Sequence, residues 1–244
     1  MKAILLVAGY ATRLYPLTKD KPKALLNVGG KPILTHILDK INTIDIIDEV
    51  IVVSNDKFFR QFEQWAKSAN TQKRIKVLND GTTSEDNRRG AIGDMQFVIA
   101  EENIQDELVV IAGDTLFTYE LTDFYDFYKD SDKDCAIAKV VEDVEQLKQF
   151  AVALLDENGK IIELNEKPQK PNSNVAVFAT YIFKKETIPM FEQYLAQGNK
   201  PDAPGYFIQW LYKQKDVYAY RMNGQCYDIG TPESYEEVQN IFDS

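Results

Sequence analysis

Short apolar runs alternate with amphipathic stretches along the first half of the chain. Mainly apolar runs cover residues 3–8, 50–54, 75–78 and 108–112, the length and character of buried strands. Between them, residues 33–44, 58–67 and 91–101 place apolar side chains at three- and four-residue spacing, which predicts helices. Strand–helix alternation implies βαβ units and a mixed, mostly parallel, Rossmann-like central sheet flanked by helices. Right-handed crossovers would bring the carboxyl ends of those strands to one edge, where ligands bind in open α/β sheets.

The second half is patterned differently. Strand-like runs at 136–141, 150–156, 160–164 and 175–183 lie close together, and Asp156-Glu157-Asn158-Gly159 reads as a turn between two of them. Helical spacing covers 121–129, 185–197 and 205–213, a late strand is expected at 217–222, and a closing helix at 231–241. Thr231 is placed to cap that helix, with Pro232 at its first position and Glu233 in its first turn. No linker, repeat or low-complexity segment interrupts the pattern. The expectation is one domain over residues 1–244 with two lobes, 1–125 and a smaller 126–244.

With 44% hydrophobic residues in 244, the chain can bury a sizeable core. Its net charge of −10 argues against nucleic-acid and anionic-membrane partners. The apolar run near the N-terminus is too short for a signal-peptide core or a membrane span. Cys135 and Cys226 form no CxxC, and His36 is the single histidine. A zinc site is therefore not expected, the thiols read as reduced, and the location as cytoplasmic. His36 reads as structural.

In so acidic a chain, the cations of the opening segment need a reason. The run to Ala8 stops at Gly9, the small-residue turn Gly9-Tyr10-Ala11-Thr12 follows, and Arg13, Lys19, Lys21 and Lys23 come next. A buried strand, a tight turn and then cations is how an α/β protein builds a polyphosphate cradle. Small residues let backbone approach phosphate oxygens, and a guanidinium at Arg13 can bind two of them. Gly29-Gly30-Lys31-Pro32 is not a Walker A loop, lacking both the spaced first glycine and the following Ser or Thr. Asp114 follows the 108–112 run and Gly113, and Asp228 likewise ends an apolar segment. Two aspartates from separate strand ends can share a divalent ion, while Lys167, between Glu166 and Pro168, can offer one ammonium to a phosphate.

Together these segments resemble the sugar-1-phosphate nucleotidyltransferases, most of all the short glucose-1-phosphate thymidylyltransferase and uridylyltransferase types. The family motif LxxGxGTRLxPLTxxxPKxLLxVxGKP is met by Leu5 to Thr18, then Pro22-Lys23 and Gly30-Lys31-Pro32. The likeness continues in order through Gly113-Asp114, Glu166-Lys167-Pro168, Ser173-Asn174 and Asp228-Ile229-Gly230-Thr231, so it spans nearly the whole chain. The resemblance implies transfer of an NMP group from an NTP to a sugar 1-phosphate by in-line attack, with pyrophosphate released. It implies Arg13 on the pyrophosphate, Lys23 on the reacting phosphates, and Mg²⁺ on Asp114 and Asp228. Nucleotide contacts would come from Ala8, Gly9, Ala11, Thr12, Asn87 and Gly90. The acceptor would meet Ala151, Glu166, Lys167 and Val175, with Lys167 on its phosphate and Glu166 on a sugar hydroxyl. The smaller lobe would then bind the sugar, and the product would serve NDP-sugar biosynthesis. UTP or dTTP is the first expectation for the nucleotide, CTP the next, and a homo-oligomer is compatible with the family.

Several positions depart from the family pattern. Ala11 replaces the second glycine of the turn, and its methyl group calls for a negative φ. Residues 82–93 replace the usual base-reading stretch and carry Arg88 and Arg89. The acceptor lobe has Phe150-Ala151, Pro204-Gly205-Tyr206-Phe207 and Cys226 at positions where the family has other residues. Phe150, Tyr206, Phe207 and Tyr227 read equally as core or as surfaces for an acceptor. A cytidylyltransferase acting on phosphocholine or a phosphonate is thus a second reading, and a non-catalytic nucleotide sensor a third. Larger relatives append a β-helix acyltransferase domain, for which 244 residues leave no room, so no second activity of that type is expected.

Overall fold

The computed structural model describes residues 1–243. In chain order the elements are β1 (Lys2–Leu6), β2 (Asn27–Val28), β3 (Lys31–Pro32), α1 (Ile33–Asn42), β4 (Glu49–Ser54), α2 (Phe59–Ser68) and β5 (Arg74–Asn79). There follow α3 (Ala91–Glu101), β6 (Leu108–Ala112), β7 (Thr115–Phe117), α4 (Leu121–Ser131), β8 (Asp134–Val140), α5 (Val144–Leu147), β9 (Ala151–Leu155), β10 (Ile161–Glu166) and β11 (Val175–Phe183). The last are α6 (Met190–Ala196), α7 (Gly205–Leu211), β12 (Val217–Arg221), β13 (Cys226–Asp228) and α8 (Pro232–Asp243). This is the mixed α/β architecture that the alternation predicts.

The chain packs into two compact units. The first takes Met1–Arg88, Ala112–Leu121 and the chain from Gly224 onward; the second takes Arg89–Ile111 and Thr122–Asn223. A single border near residue 125 therefore becomes four crossings, and the C-terminal segment joins the first unit.

In the first unit β1, β4 and β5 pair in parallel, with Lys2 opposite Glu49 and Glu49 opposite Arg74. All six residues of β4 are buried, as a strand covered on both faces requires. One stripe of α1, Ile33, Leu34, Ile37, Leu38 and Ile41, is buried. Trp65 of α2 is buried too, and its indole N–H donates to Thr35 Oγ1 at 3.0 Å. The first strand ends two residues short of the apolar run. The carbonyl of Ala8 takes a hydrogen bond from Asn55 Nδ2 at 2.8 Å, and the chain turns away there. Thr231 caps α8 as expected, its Oγ1 accepting from Ser234 N, while Tyr235 Oη and Gln239 Nε2 hold the helix to the Asn27 carbonyl. His36 is structural: its Nε2–H donates to the Val28 carbonyl at 2.8 Å, and its ring meets Phe242 edge-on.

The second unit is organised around β11, antiparallel to β6, β8 and β9, with β10 antiparallel to β9 and β12 parallel to β8. Parallel pairing thus dominates the first unit and antiparallel pairing the second. Phe191 and Phe207 stack at 3.9 Å, and Phe183, Tyr194 and Trp210 close around them. Phe207 is fully buried, which settles its double reading as core. The single helix expected at 185–197 is broken: a 3-10 turn spans Lys185–Thr187, and α6 restarts after Pro189. Proline cannot donate to a preceding turn, so it ends one helix and opens the next. Cys135 is buried, and burial pushes its thiol up to about 12, consistent with an inert, reduced side chain. No helix among the described residues is long and apolar enough to cross a membrane.

Candidate active site

The opening turn forms one wall of an open cleft of about 110 Å³ in the first unit, lined by Gly9, Ala11, Arg13, Lys23, Asp114 and Gly230, among others. Local chemistry builds that wall. Asn55, fully buried directly after β4, donates to the Ala8 carbonyl and accepts from Phe58 N at 3.1 Å. Thr18, also fully buried, donates from Oγ1 to the Ala11 carbonyl at 2.7 Å. The Tyr10 ring turns inward and is buried. Gly9 faces outward, and a Cβ there would meet nothing within 4 Å, so the space above the turn is open.

Ala11 stands at φ 48°, ψ 44°. The expectation of a negative φ is wrong: alanine here adopts the left-handed conformation that glycine favours. Two hydrogen bonds to its carbonyl, from Thr18 Oγ1 and from Leu14 N at 3.0 Å, hold it there. They offset a conformational cost of about 1 kcal/mol. Immediately after it, Thr12–Leu14 make a 3-10 turn that leaves Thr12 and Arg13 exposed. The Arg13 guanidinium has no carboxylate partner among the described residues, and it lies beside Gly230, where an added Cβ would come within 3.8 Å of Nη2. Lys19 and Lys21 are likewise exposed.

Lys23 follows Pro22 into the 3-10 turn Lys23–Leu25 and is almost fully buried. Its ammonium lies 3.1 Å from Asp114 Oδ2 and 3.5 Å from Asp228 Oδ1. Both carboxylates are about half exposed. The pairing of β13 with β7 brings them together, because Asp228 lies opposite Thr115, the residue after Asp114. Gly113 makes that approach feasible. Its N–H donates to the Leu6 carbonyl at 3.0 Å, and a Cβ there would fall 2.3 Å from Val7 Cγ1. A side chain at 113 would push Asp114 off the end of β1.

The expected base-reading residues also have local structural roles. Asn87 Oδ1 accepts from Thr83 N and Ser84 N at 3.1 and 3.0 Å, and Nδ2 donates to Thr83 Oγ1. The side chain closes a capping box on its own 3-10 turn. Gly90 has φ 79°, and a Cβ would lie 2.5 Å from the Pro201 carbonyl oxygen. The next two N–H groups, of Ala91 and Ile92, donate to Asp202 O and Pro201 O at 2.8 Å. Packing against that loop is sufficient reason for glycine at 90.

In the second unit Glu166 ends β10 opposite Ala151. Burial pushes its carboxyl up to about 7, against the opposing pull of Lys167. Lys167 has φ 48°, unusual for a lysine, and its side chain is exposed. Ala151 and Val175 are buried first residues of β9 and β11, so only their backbone atoms are suited to contact a ligand. Phe150 packs on Phe178 at 4.9 Å and Tyr227 edge-on to Phe242 at 5.7 Å, both as structural rings. Tyr206 stays half-buried beneath the Lys200 ammonium.

Asn55 and Thr18 are the residues the sequence reading misses. A lone Asn directly after an apolar strand run was the available signal for the first. Thr18 lies inside the quoted motif but carries no sign that its hydroxyl reaches back seven residues.

The cleft offers an outward glycine, an unpaired guanidinium, and a buried ammonium shared by two carboxylates, an arrangement suited to phosphates and a divalent cation. The bifunctional protein GlmU of Methanocaldococcus jannaschii is 31% identical over 236 residues, 95% of this chain and 52% of that protein. The chain spans about half the length of several such relatives. The UTP–glucose-1-phosphate uridylyltransferase AglF of Haloferax volcanii is 27% identical over 248 residues, covering 98% of this chain and 95% of that one. A UDP-glucose pyrophosphorylase solved with UDP-glucose superposes with a TM-score of 0.83 at 20% identity, over 99% of this chain and 97% of the other, which shows a common fold. The nucleotidyl transferase family model matches residues 2–243, and the chain belongs to that family.

Proposed function

We propose that this protein transfers a nucleoside monophosphate from an NTP to a sugar 1-phosphate and releases pyrophosphate. The observation that carries the reading is the Lys23 ammonium between Asp114 and Asp228, in the same cleft as the unpaired Arg13. The reaction forms a bond between an acceptor phosphate oxygen and the α-phosphorus. It breaks the bond to the β-phosphate, and pyrophosphate leaves with the electron pair. No covalent enzyme intermediate is needed, so the protein's work is alignment and charge neutralisation.

Arg13 holds the departing pyrophosphate through two guanidinium N–H groups. Lys23 exchanges a carboxylate for the reacting phosphates as they arrive. Ala8, Gly9, Ala11 and Thr12 supply the turn over which the nucleotide lies. Lys167 takes the acceptor's phosphate and Glu166 one of its hydroxyls. Asp114 and Asp228 are hard oxygen donors, half exposed, and no third His, Cys, Asp or Glu joins them among the described residues. That set suits Mg²⁺, which binds one or two carboxylates and completes its shell with water and phosphate oxygens. When bound, Mg²⁺ supplies charge neutralisation at the reacting phosphate. UTP is the first choice of nucleotide, supported by the name of AglF, which matches along 95% of its length. The cytoplasm is the compartment that supplies these substrates.

The test is pyrophosphate release with Mg²⁺ across UTP, dTTP, CTP, GTP and ATP, each with a panel of sugar 1-phosphates, phosphocholine and aminoethylphosphonate. Turnover with a sugar 1-phosphate is expected. Turnover confined to CTP with phosphocholine or the phosphonate would replace the acceptor in this reading, and no turnover with any pair would overturn it.

A further inference from the structure

We propose that α7 positions the acceptor residues: Gln209 fixes the backbone of Glu166, and Gly205 makes the space in which its carboxyl lies. The proposal rests on the reading of Glu166 and Lys167 given under the proposed function and adds two residues to it.

Glu166 and Lys167 sit where β10 ends, and nothing in a strand terminus alone fixes their direction. Three contacts do. The Glu166 N–H donates to Gln209 Oε1 at 2.8 Å, across 43 residues of sequence. The Lys167 N–H donates to the Phe150 carbonyl at 3.0 Å. Lys167 itself adopts φ 48°, a conformation that persists only where its surroundings impose it. It turns the chain sharply after Glu166 and leaves the ammonium exposed.

The Glu166 side chain is held by shape. A Cβ on Gly205 would lie 1.8 Å from Glu166 Oε2 and 3.0 Å from Ala151 Cβ. The carboxyl therefore occupies the volume that any other residue at 205 would fill. Gly205 and Gln209 are four residues apart, one turn of α7, so a single helix face touches both the backbone and the carboxyl of Glu166. Phe207 and Leu211 on α7 are fully buried, and Phe207 stacks on Phe191, which anchors the helix in the aromatic core. The burial that raises the Glu166 carboxyl is the same packing.

Gln209→Met keeps length and volume but removes the acceptor oxygen; Gly205→Ala displaces the carboxyl; Gln209→Glu restores an acceptor oxygen. With the NTP and sugar 1-phosphate that the full chain uses best, acceptor KM is expected to rise about tenfold in the first two variants. Their kcat and NTP KM stay within about twofold, and Gln209→Glu recovers part of the loss. Unchanged acceptor KM in both would overturn the proposal. Titration of the Glu166 carboxyl carbon by NMR reads the same placement without turnover. Its midpoint is expected to fall toward the ordinary carboxylate range in Gly205→Ala. A shifted midpoint in a protein inactive with every substrate pair would retain the positioning and overturn the transferase reading. An unshifted midpoint in such a protein would overturn both.

Discussion

Lys23 donates a hydrogen bond to Asp114 at 3.1 Å although 91 residues separate them. A nearly buried ammonium is stable only when paired, and here the pairing also reaches Asp228. The two aspartates thus share one cation before any phosphate or metal ion arrives. The ammonium sets their spacing, and under the proposed reaction it would be released as the site loads.

Asp114→Asn and Asp228→Asn each remove one hard donor while leaving the side chain's size intact. Pyrophosphate release should fall at least about 100-fold in each. Because both carboxylates are half exposed, stability in urea should change by less than about 1 kcal/mol. Activity within a few-fold of wild type in both variants would remove the shared-metal assignment.

Arg13→Lys retains the charge but not the two-pronged donor. The side chain makes no ion pair, so the melting temperature should not move. The value of kcat/KM for the NTP should fall about tenfold or more. An unaffected kcat/KM would mean that Arg13 does not meet the pyrophosphate.

Asp134 is fully buried and accepts from Lys184 N at 2.7 Å, from Thr187 Oγ1 at 2.9 and 2.8 Å, and pairs with Lys215 Nζ at 2.8 Å. Asp134→Ala strands those donors and should lower unfolding free energy by about 3 kcal/mol. Asp134→Asn should cost less, since one amide oxygen still accepts. A urea midpoint that does not move in the alanine variant would deny the network its structural role.

Two glycine exchanges should have opposite signs. Ala11→Gly relieves a left-handed alanine and should leave stability unchanged or raise it by up to about 1 kcal/mol. Gly90→Ala adds a Cβ at φ 79°, 2.5 Å from the Pro201 carbonyl oxygen, and should cost more than about 2 kcal/mol. Thermal unfolding of the two variants reads both effects, and a stabilised Gly90→Ala would contradict the packing described for α3.

The carboxyl of Glu166 gives a pH signature. Its value in the folded chain is raised to about 7 from an ordinary 4.5. Between those values the folded state holds a proton that the unfolded state has released, so this group's contribution falls as pH rises through the window. Against Glu166→Gln, the wild type should lose roughly 2 kcal/mol of relative stability between pH 4.5 and 7. Parallel stability profiles for the two proteins would show that the carboxyl is not desolvated.

Much of the fold was legible along the chain because local pattern carried it. The apolar stripe Ile33, Leu34, Ile37, Leu38 and Ile41 predicts α1 without reference to any partner. Residues 50–54 predict β4, buried at every position. The 185–197 helix failed where Pro189 outweighed the apolar spacing around it. β7 and β13 had no comparable signal. Each is three residues long, and neither has enough alternation to mark a strand.

Local pattern along the chain carried most of the element types, the cationic turn after the first strand, and the charged residues Arg13, Lys23, Asp114, Lys167 and Asp228 as candidates. These follow from period, composition and motif, which are properties of neighbours along the chain. Tertiary structure alone decided which candidates meet. The β7–β13 pairing put Asp228 beside Asp114, the glycine at 113 let that segment close on β1, and Asn55 and Thr18 pinned the turn. It also gave Asn87 and Gly90 local contacts that the sequence does not show and placed Gln209 against Glu166. Such contacts join residues dozens to more than a hundred positions apart. Their energy comes from burial and hydrogen bonding that exist only once the core has formed, and no local pattern encodes them.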